Sequence, residues 1–127
     1  MFARELNERV KAAGLKQPYA YSVHPGYVVG QLQAQARRGF AEQVMFNAMK
    51  PTAGTYETGA RPALYASTSS AATPGGFFGP TGWMPMVKHM KGKHPAEVKA
   101  NKLADDPELR KKLWEQSEKL TKAAFKI

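Results

Sequence analysis

A chain of 127 residues is the length of one domain, and its 43% hydrophobic content is enough to pack a core. It contains no cysteine, which excludes disulfides, thiolate metal sites and cysteine nucleophiles together. The net charge of +9 is spread out, eight Lys/Arg against four Asp/Glu in 1–80 and eleven against six in 81–127, so neither half is a basic tail.

The first predicted element is a helix. "FARELNERVKAAG" sets Phe2, Leu6, Val10 and Ala13 at spacings of four, four and three, on one face, with most charges elsewhere. Gly14 suits its end, because glycine enters the left-handed region without a Cβ clash. No Ser, Thr, Asp or Asn stands ahead of Phe2 to cap it, so the pattern reads as the second half of a longer helix. This start is no apolar signal core, and no apolar run reaches bilayer length. The expectation is a cytoplasmic protein without a transmembrane segment.

"PYAYSVH", residues 18–24, has the aromatic and β-branched bias of a strand, and small Ala20 and Ser22 point to helices packed on at least one of its faces. Pro25 removes a backbone donor and Gly26 permits a bend, so the chain leaves the sheet there. "RRGFAEQVMFNAMK" predicts a short helix carrying Phe40, Val44, Phe46 and Met49, with Met45 and Met49 as adaptable apolar surface. "TYETGARPALYAST" predicts another helix, capped at Thr55, which Pro62 should kink or start late. "TPGGFFGPTGW" reads as turns around a very short aromatic strand. In "DDPELRKKLWEQSEKLTKAAF", Asp106 caps, Pro107 takes the first turn, Glu108 complements the dipole, and Leu109, Leu113, Trp114 and Leu120 form the apolar stripe.

Several chemistries find no pattern. Gly75, Gly76, Gly79 and Gly82 follow no long strand and open no helix, so they read as turns rather than a dinucleotide loop. His24, His89 and His94 lack metal-ligand spacing, and Ser67, Ser69 and Ser70 lack a nucleophile-elbow context. The densest basic run, Lys88 to Lys102, has no interleaved aromatics and reads as a solvated loop, so nucleic acid is not an expected partner.

Taken in order, "FARELNERVKAAG", "SVHPG", "YVVGQL", "ETGARPALYAST", "GGFFGPTGW" and "LWEQSEKLT" resemble the C-terminal half of a short-chain dehydrogenase/reductase, of the retinol-dehydrogenase-like or ketoreductase-like type. The resemblance implies the C-terminal portion of a Rossmann-like, doubly wound α/β fold with a parallel sheet, incomplete in this chain. It divides 1–127 into the end of the catalytic helix, strand and proline–glycine turn (1–32), a substrate lid (33–50), a helix and last short strand (51–82), and a basic loop with the C-terminal helix (83–127). The family's cofactor glycine loop and its catalytic serine, tyrosine and lysine all precede the matched region, so no catalytic residue is expected here, and the histidine spacing already gives no metal ligand.

What the resemblance implies about sites is specific. The turn would approach the nicotinamide of NAD or NADP through Pro25, Gly26, Tyr27 and Val28, with the backbone of 27–29 offering donors and acceptors to the carboxamide. Gly30 stands where a threonine commonly bonds the cofactor, and it has no hydroxyl to lend. Phe40, Met45 and Met49 would wall the pocket of a small apolar carbonyl or alcohol substrate. The implied partner is the missing N-terminal half, or a chain that replaces it. Two other readings stay open: a non-catalytic binding or scaffold subunit descended from that family, and a basic protein that binds polyanions through 88–102.

Overall fold

The computed structural model describes residues 1–31, 35–81 and 94–125, and among them the chain is mixed α/β, with four α-helices and one three-stranded mixed sheet. That is less than a complete doubly wound domain. The chain divides into two units, Met1–Ser22 with Ala71–Phe77 and Val98–Ile127, and Val23–Ser70 with Phe78–Glu97.

In the first unit, α1 (Phe2–Ala12) opens without a side-chain cap. It closes at Gly14, whose φ is +73°: the Gly14 N–H donates to Lys11 O (3.0 Å) and the Leu15 N–H to Val10 O (3.1 Å), the paired bonds of a Schellman ending. Val10 and Glu5 are buried, and the Glu5 carboxylate is matched by the Arg9 guanidinium at 2.9 Å. The last helix of the chain, Pro107–Thr121, packs against α1. Its Asp106 Oδ1 accepts from the N–H groups of Glu108 (2.9 Å) and Leu109 (3.1 Å). Trp114 is the side chain this helix buries. Phe2 and Phe125 each lie 5.9 Å from its ring and the Arg9 guanidinium stands 4.7 Å over it. Leu109, Leu113 and Leu120, read with Trp114 as one stripe, are exposed instead. At 100° per residue the leucines and the tryptophan fall on different faces.

The predicted strand 18–24 shrinks to β1, Ser22–Val23. The residues before it are held by another device. Asn7 accepts from the Ala20 N–H (3.1 Å) and donates to its carbonyl (2.7 Å), so a side-chain amide stands where a neighbouring strand would. The same carbonyl also takes the Gly75 N–H at 2.9 Å.

The sheet runs in the order β1, β2 (Phe77–Thr81), β3 (His94–Glu97). Ser22 N–H donates to Gly76 O and His24 N–H to Phe78 O, donors two apart meeting acceptors two apart in the same sense, as in a parallel pair. β3 is antiparallel to β2, from Phe78 opposite Glu97 to Thr81 opposite His94. Two features correct the sequence reading. Gly79 is a strand residue in β2, not a turn, and part of the basic run read as loop forms β3. "HPAE" has no strand propensity of its own; Pro95 faces Pro80, and the pairing with β2 overrides the local preference. Residues 88–93 of that run, His89 and Gly82 lie outside the described residues.

In the second unit, α2 spans Phe40–Met49 and α3 spans Tyr56–Thr68; the last helix is therefore α4. α3 starts at Tyr56 and runs through Pro62 rather than starting at it. Its core is Phe78, 1% exposed, with fully buried Pro62, buried Ala66, and the Tyr65 ring 5.8 Å from Phe78. Burying the phenylalanine is worth about 2–3 kcal/mol.

Candidate functional site

The second unit gathers the turn that follows β1, the start of α3, and β2. His24 ends the parallel ladder through its bond to Phe78 O at 2.9 Å. The chain then reverses at Gly26, whose φ of +75° is the conformation that glycine alone takes cheaply. The Gly26 N–H donates to His24 Nδ1 at 3.2 Å, so side chain and turn fix one another. Beyond the turn, Val28 forms a parallel bridge with Gly54, and Gly54 N–H donates to Tyr27 O at 2.8 Å.

Two glycines make this packing possible, Gly59, which sequence reasoning passed over, and Gly79, which it read as a turn. A Cβ on Gly59, in the first turns of α3, would lie 2.9 Å from Val28 Cγ2 and 3.4 Å from Pro25 Cβ. A Cβ on Gly79 would run into Nε2, Cδ2 and Cε1 of the His24 imidazole, so the Nε2 end of the ring occupies the space a side chain there would need. The signal for Gly59 was in the sequence, since a glycine inside a helix costs about 1 kcal/mol relative to alanine and marks a close approach. Gly79 gave none, because its partner is remote in the chain. The start of α3 is tied by Thr55, whose Oγ1 accepts from Thr58 N–H at 3.3 Å, and Thr58 Oγ1 donates to Thr55 O at 2.8 Å.

Of the residues expected to touch a cofactor, Pro25 is exposed while Gly26, Tyr27, Val28 and Gly30 are half-buried along one short segment. The expectation that 27–29 offer free acceptors is narrowed, because the Tyr27 carbonyl is already taken by Gly54. In a parallel bridge one of the two residues makes both bonds, here Gly54, to the neighbours of the other, which leaves Val28's own N–H and C=O on the other edge. That is one donor and one acceptor beside a glycine turn, the set a planar carboxamide needs.

The expected substrate wall is not assembled. Phe40 and Met45 are 89% and 67% exposed, Met49 is half-buried, and α2 buries no residue. At 100° per residue Phe40 points about 180° away from Met49. Among the described residues no group of three His, Asp or Glu could hold a metal ion.

No family model matches the chain, and neither does any curated protein. A solved structure does: the crystal structure of an uncharacterized protein from Mycobacterium paratuberculosis, 29% identical, superposes with a TM-score of 0.65 over 99% of this chain and 36% of its own. The chain thus spans about a third of that protein's length.

Proposed function

We propose that this chain is the C-terminal, substrate-side part of an NAD(P)-dependent short-chain oxidoreductase acting on a carbonyl or alcohol, its doubly wound sheet completed by strands outside these residues. The observation that carries the reading is the Pro25–Gly26 turn. It stands at the C-terminal end of a strand paired in parallel, where open α/β sheets receive their ligands, and it has a positive φ and no side chain at the point of closest approach. The longer chain of the Mycobacterium paratuberculosis protein supports a setting in which this segment is one part of a larger fold.

The nicotinamide would supply hydride chemistry, taking or giving two electrons as H⁻ at the carbinol carbon, while the hydroxyl proton goes to a base. Val28's backbone would orient the carboxamide, Pro25 and Gly26 would set how near the ring comes, and Tyr27 would hold the segment in place through Gly54. Gly30 offers no side-chain bond, which lowers affinity by about 1 kcal/mol relative to a hydroxyl-bearing residue. The base is not in this chain: none of Tyr19, Tyr21, Tyr27, Tyr56 or Tyr65 has a lysine four residues on, the spacing that sets both groups on one helical face. A non-catalytic scaffold subunit is the second reading, and the bare Gly30 favours it.

The test is to read the coding sequence upstream of Met1 and express the longest in-frame chain. The oxidoreductase reading expects a glycine-rich turn and a tyrosine–lysine pair there. It also expects NAD(P)H-dependent reduction of apolar aldehydes or ketones by the long chain, and none by the 127 residues. An upstream sequence with neither motif, or a long chain inert with both cofactors, overturns it.

A further inference from the structure

The helix α2 is apolar over half its circumference, and among the described residues most of that half is exposed. None of its ten residues is buried, and Phe40, Met45 and Val44 are 89%, 67% and 55% exposed. At 100° per residue, Phe40, Val44, Ala48, Ala41, Met45 and Met49 sweep an arc of about 180°. The other side is polar and tied down. Gln43 donates to Asn47 Oδ1 at 3.1 Å, Glu42 accepts from the Gly39 N–H at 3.2 Å, and Phe46 is covered by the Arg38 guanidinium (3.7 Å) and the Lys50 ammonium (5.1 Å). Exposed Arg37 adds a third cation, and Glu42 is the one acid between 37 and 50.

We propose that α2 is an interfacial helix, which seats the Phe40–Val44–Met45 arc in the acyl boundary of an anionic phospholipid surface while Arg37, Arg38 and Lys50 meet the headgroups. The arc is convex, and a small ligand needs a concave wall, so an apolar substrate does not fit it. A second copy would set three cations against the same three, whereas an anionic bilayer is complementary to all of them. Ten residues extend about 15 Å, half of what crossing the hydrocarbon requires, so the helix lies in the plane of the surface. This inference uses no part of the oxidoreductase reading.

Vesicle flotation tests it, because aggregates sink while bound chain rises. The 127-residue chain should float with phosphatidylcholine vesicles containing phosphatidylglycerol and much less with phosphatidylcholine alone. Phe40→Glu with Met45→Glu should lower partitioning at least roughly tenfold, and Arg37→Glu with Lys50→Glu about fivefold or more per cation. These side chains are exposed or partly exposed, so circular dichroism should show both variants as helical as the parent. No flotation of the parent, or equal flotation of the Phe40/Met45 variant, overturns the proposal. So does a parent that fails to float but self-associates in sedimentation through the same two residues, because the face then belongs to a second copy.

Discussion

The contact between His24 and Gly79 is one in which a single methyl group decides the packing. Gly79→Ala would place a carbon inside the imidazole, so the ring must swing away and release the Gly26 N–H from Nδ1. Overpacking with a lost hydrogen bond should destabilise the second unit by about 2–3 kcal/mol. With His24→Ala the obstruction is gone, and adding Gly79→Ala should then cost well under about 1 kcal/mol. Urea unfolding of the two single variants and the double variant gives the cycle, and an additive result would show that ring and glycine do not meet. Elsewhere the magnitudes are smaller. Arg4 pairs with Asp105, but the two side chains are 27% and 64% exposed, and a pair that wet contributes at most about 1 kcal/mol. Asn7, with three bonds to the backbones of Ala3 and Ala20, matters more, since removing it strands the Ala20 N–H.

Helix ends were the most legible elements, and they are not equal. Asp106 accepts two charge-assisted bonds from helix N–H groups, at 2.9 and 3.1 Å, at a helix whose first residue is Pro107, whereas Thr55 accepts from a single helix N–H, a neutral bond at 3.3 Å. Asp106→Ala should therefore cost about 1–2 kcal/mol and Thr55→Ala about 0.5. Thermal melts followed at helical wavelengths check the order, and a larger loss at Thr55 would contradict it. The helices of "FARELNERV" and "DDPELRKKLW" could be read because period and caps are local properties of the chain. The strands could not. "PYAYSVH" has the right residues, but the Asn7 amide occupies the backbone of its first half, so only Ser22–Val23 joins the ladder. "HPAE" has the wrong residues and is recruited by β2 across a segment remote in sequence. The site divides in the same way. Pro25–Gly26 announced a turn, while the spent Tyr27 carbonyl and the bare surface of Gly79 depend on partners that no local pattern reveals. For α2 the local pattern was real, but its apolar residues spread around half the helix instead of converging on a pocket.

At the scale of the whole molecule, burial is thin. Among the described residues the hydrophobic core is Val10, Ala66, Ala72, Phe78, Ala104 and Trp114, half of them alanine, while Phe40, Leu64, Met45 and Leu120 are among the side chains left to solvent. Each of the two units has its own small core, and scaffolds of well under about 80 residues rarely supply more than 3–5 kcal/mol from such a core without staples. Cysteines that might provide them are absent. Against an ordering cost of about 1.5 kcal/mol per residue, the isolated chain should be marginal. It should bind anilinonaphthalene sulfonate strongly and melt over a broad range; a sharp calorimetric transition without dye binding would contradict this. No helix among the described residues is long and apolar enough to cross a membrane.

The bond from Gly26 to His24 also bears on the tautomer of the ring. Because Nδ1 spends its lone pair on the Gly26 N–H, the neutral ring is assigned the tautomer with hydrogen on Nε2. Ring and turn then hold one another through that one nitrogen. His24 stands beside the strand end as a latch whose chemistry is already engaged, and the nitrogen resonances of its ring report whether that latch is closed.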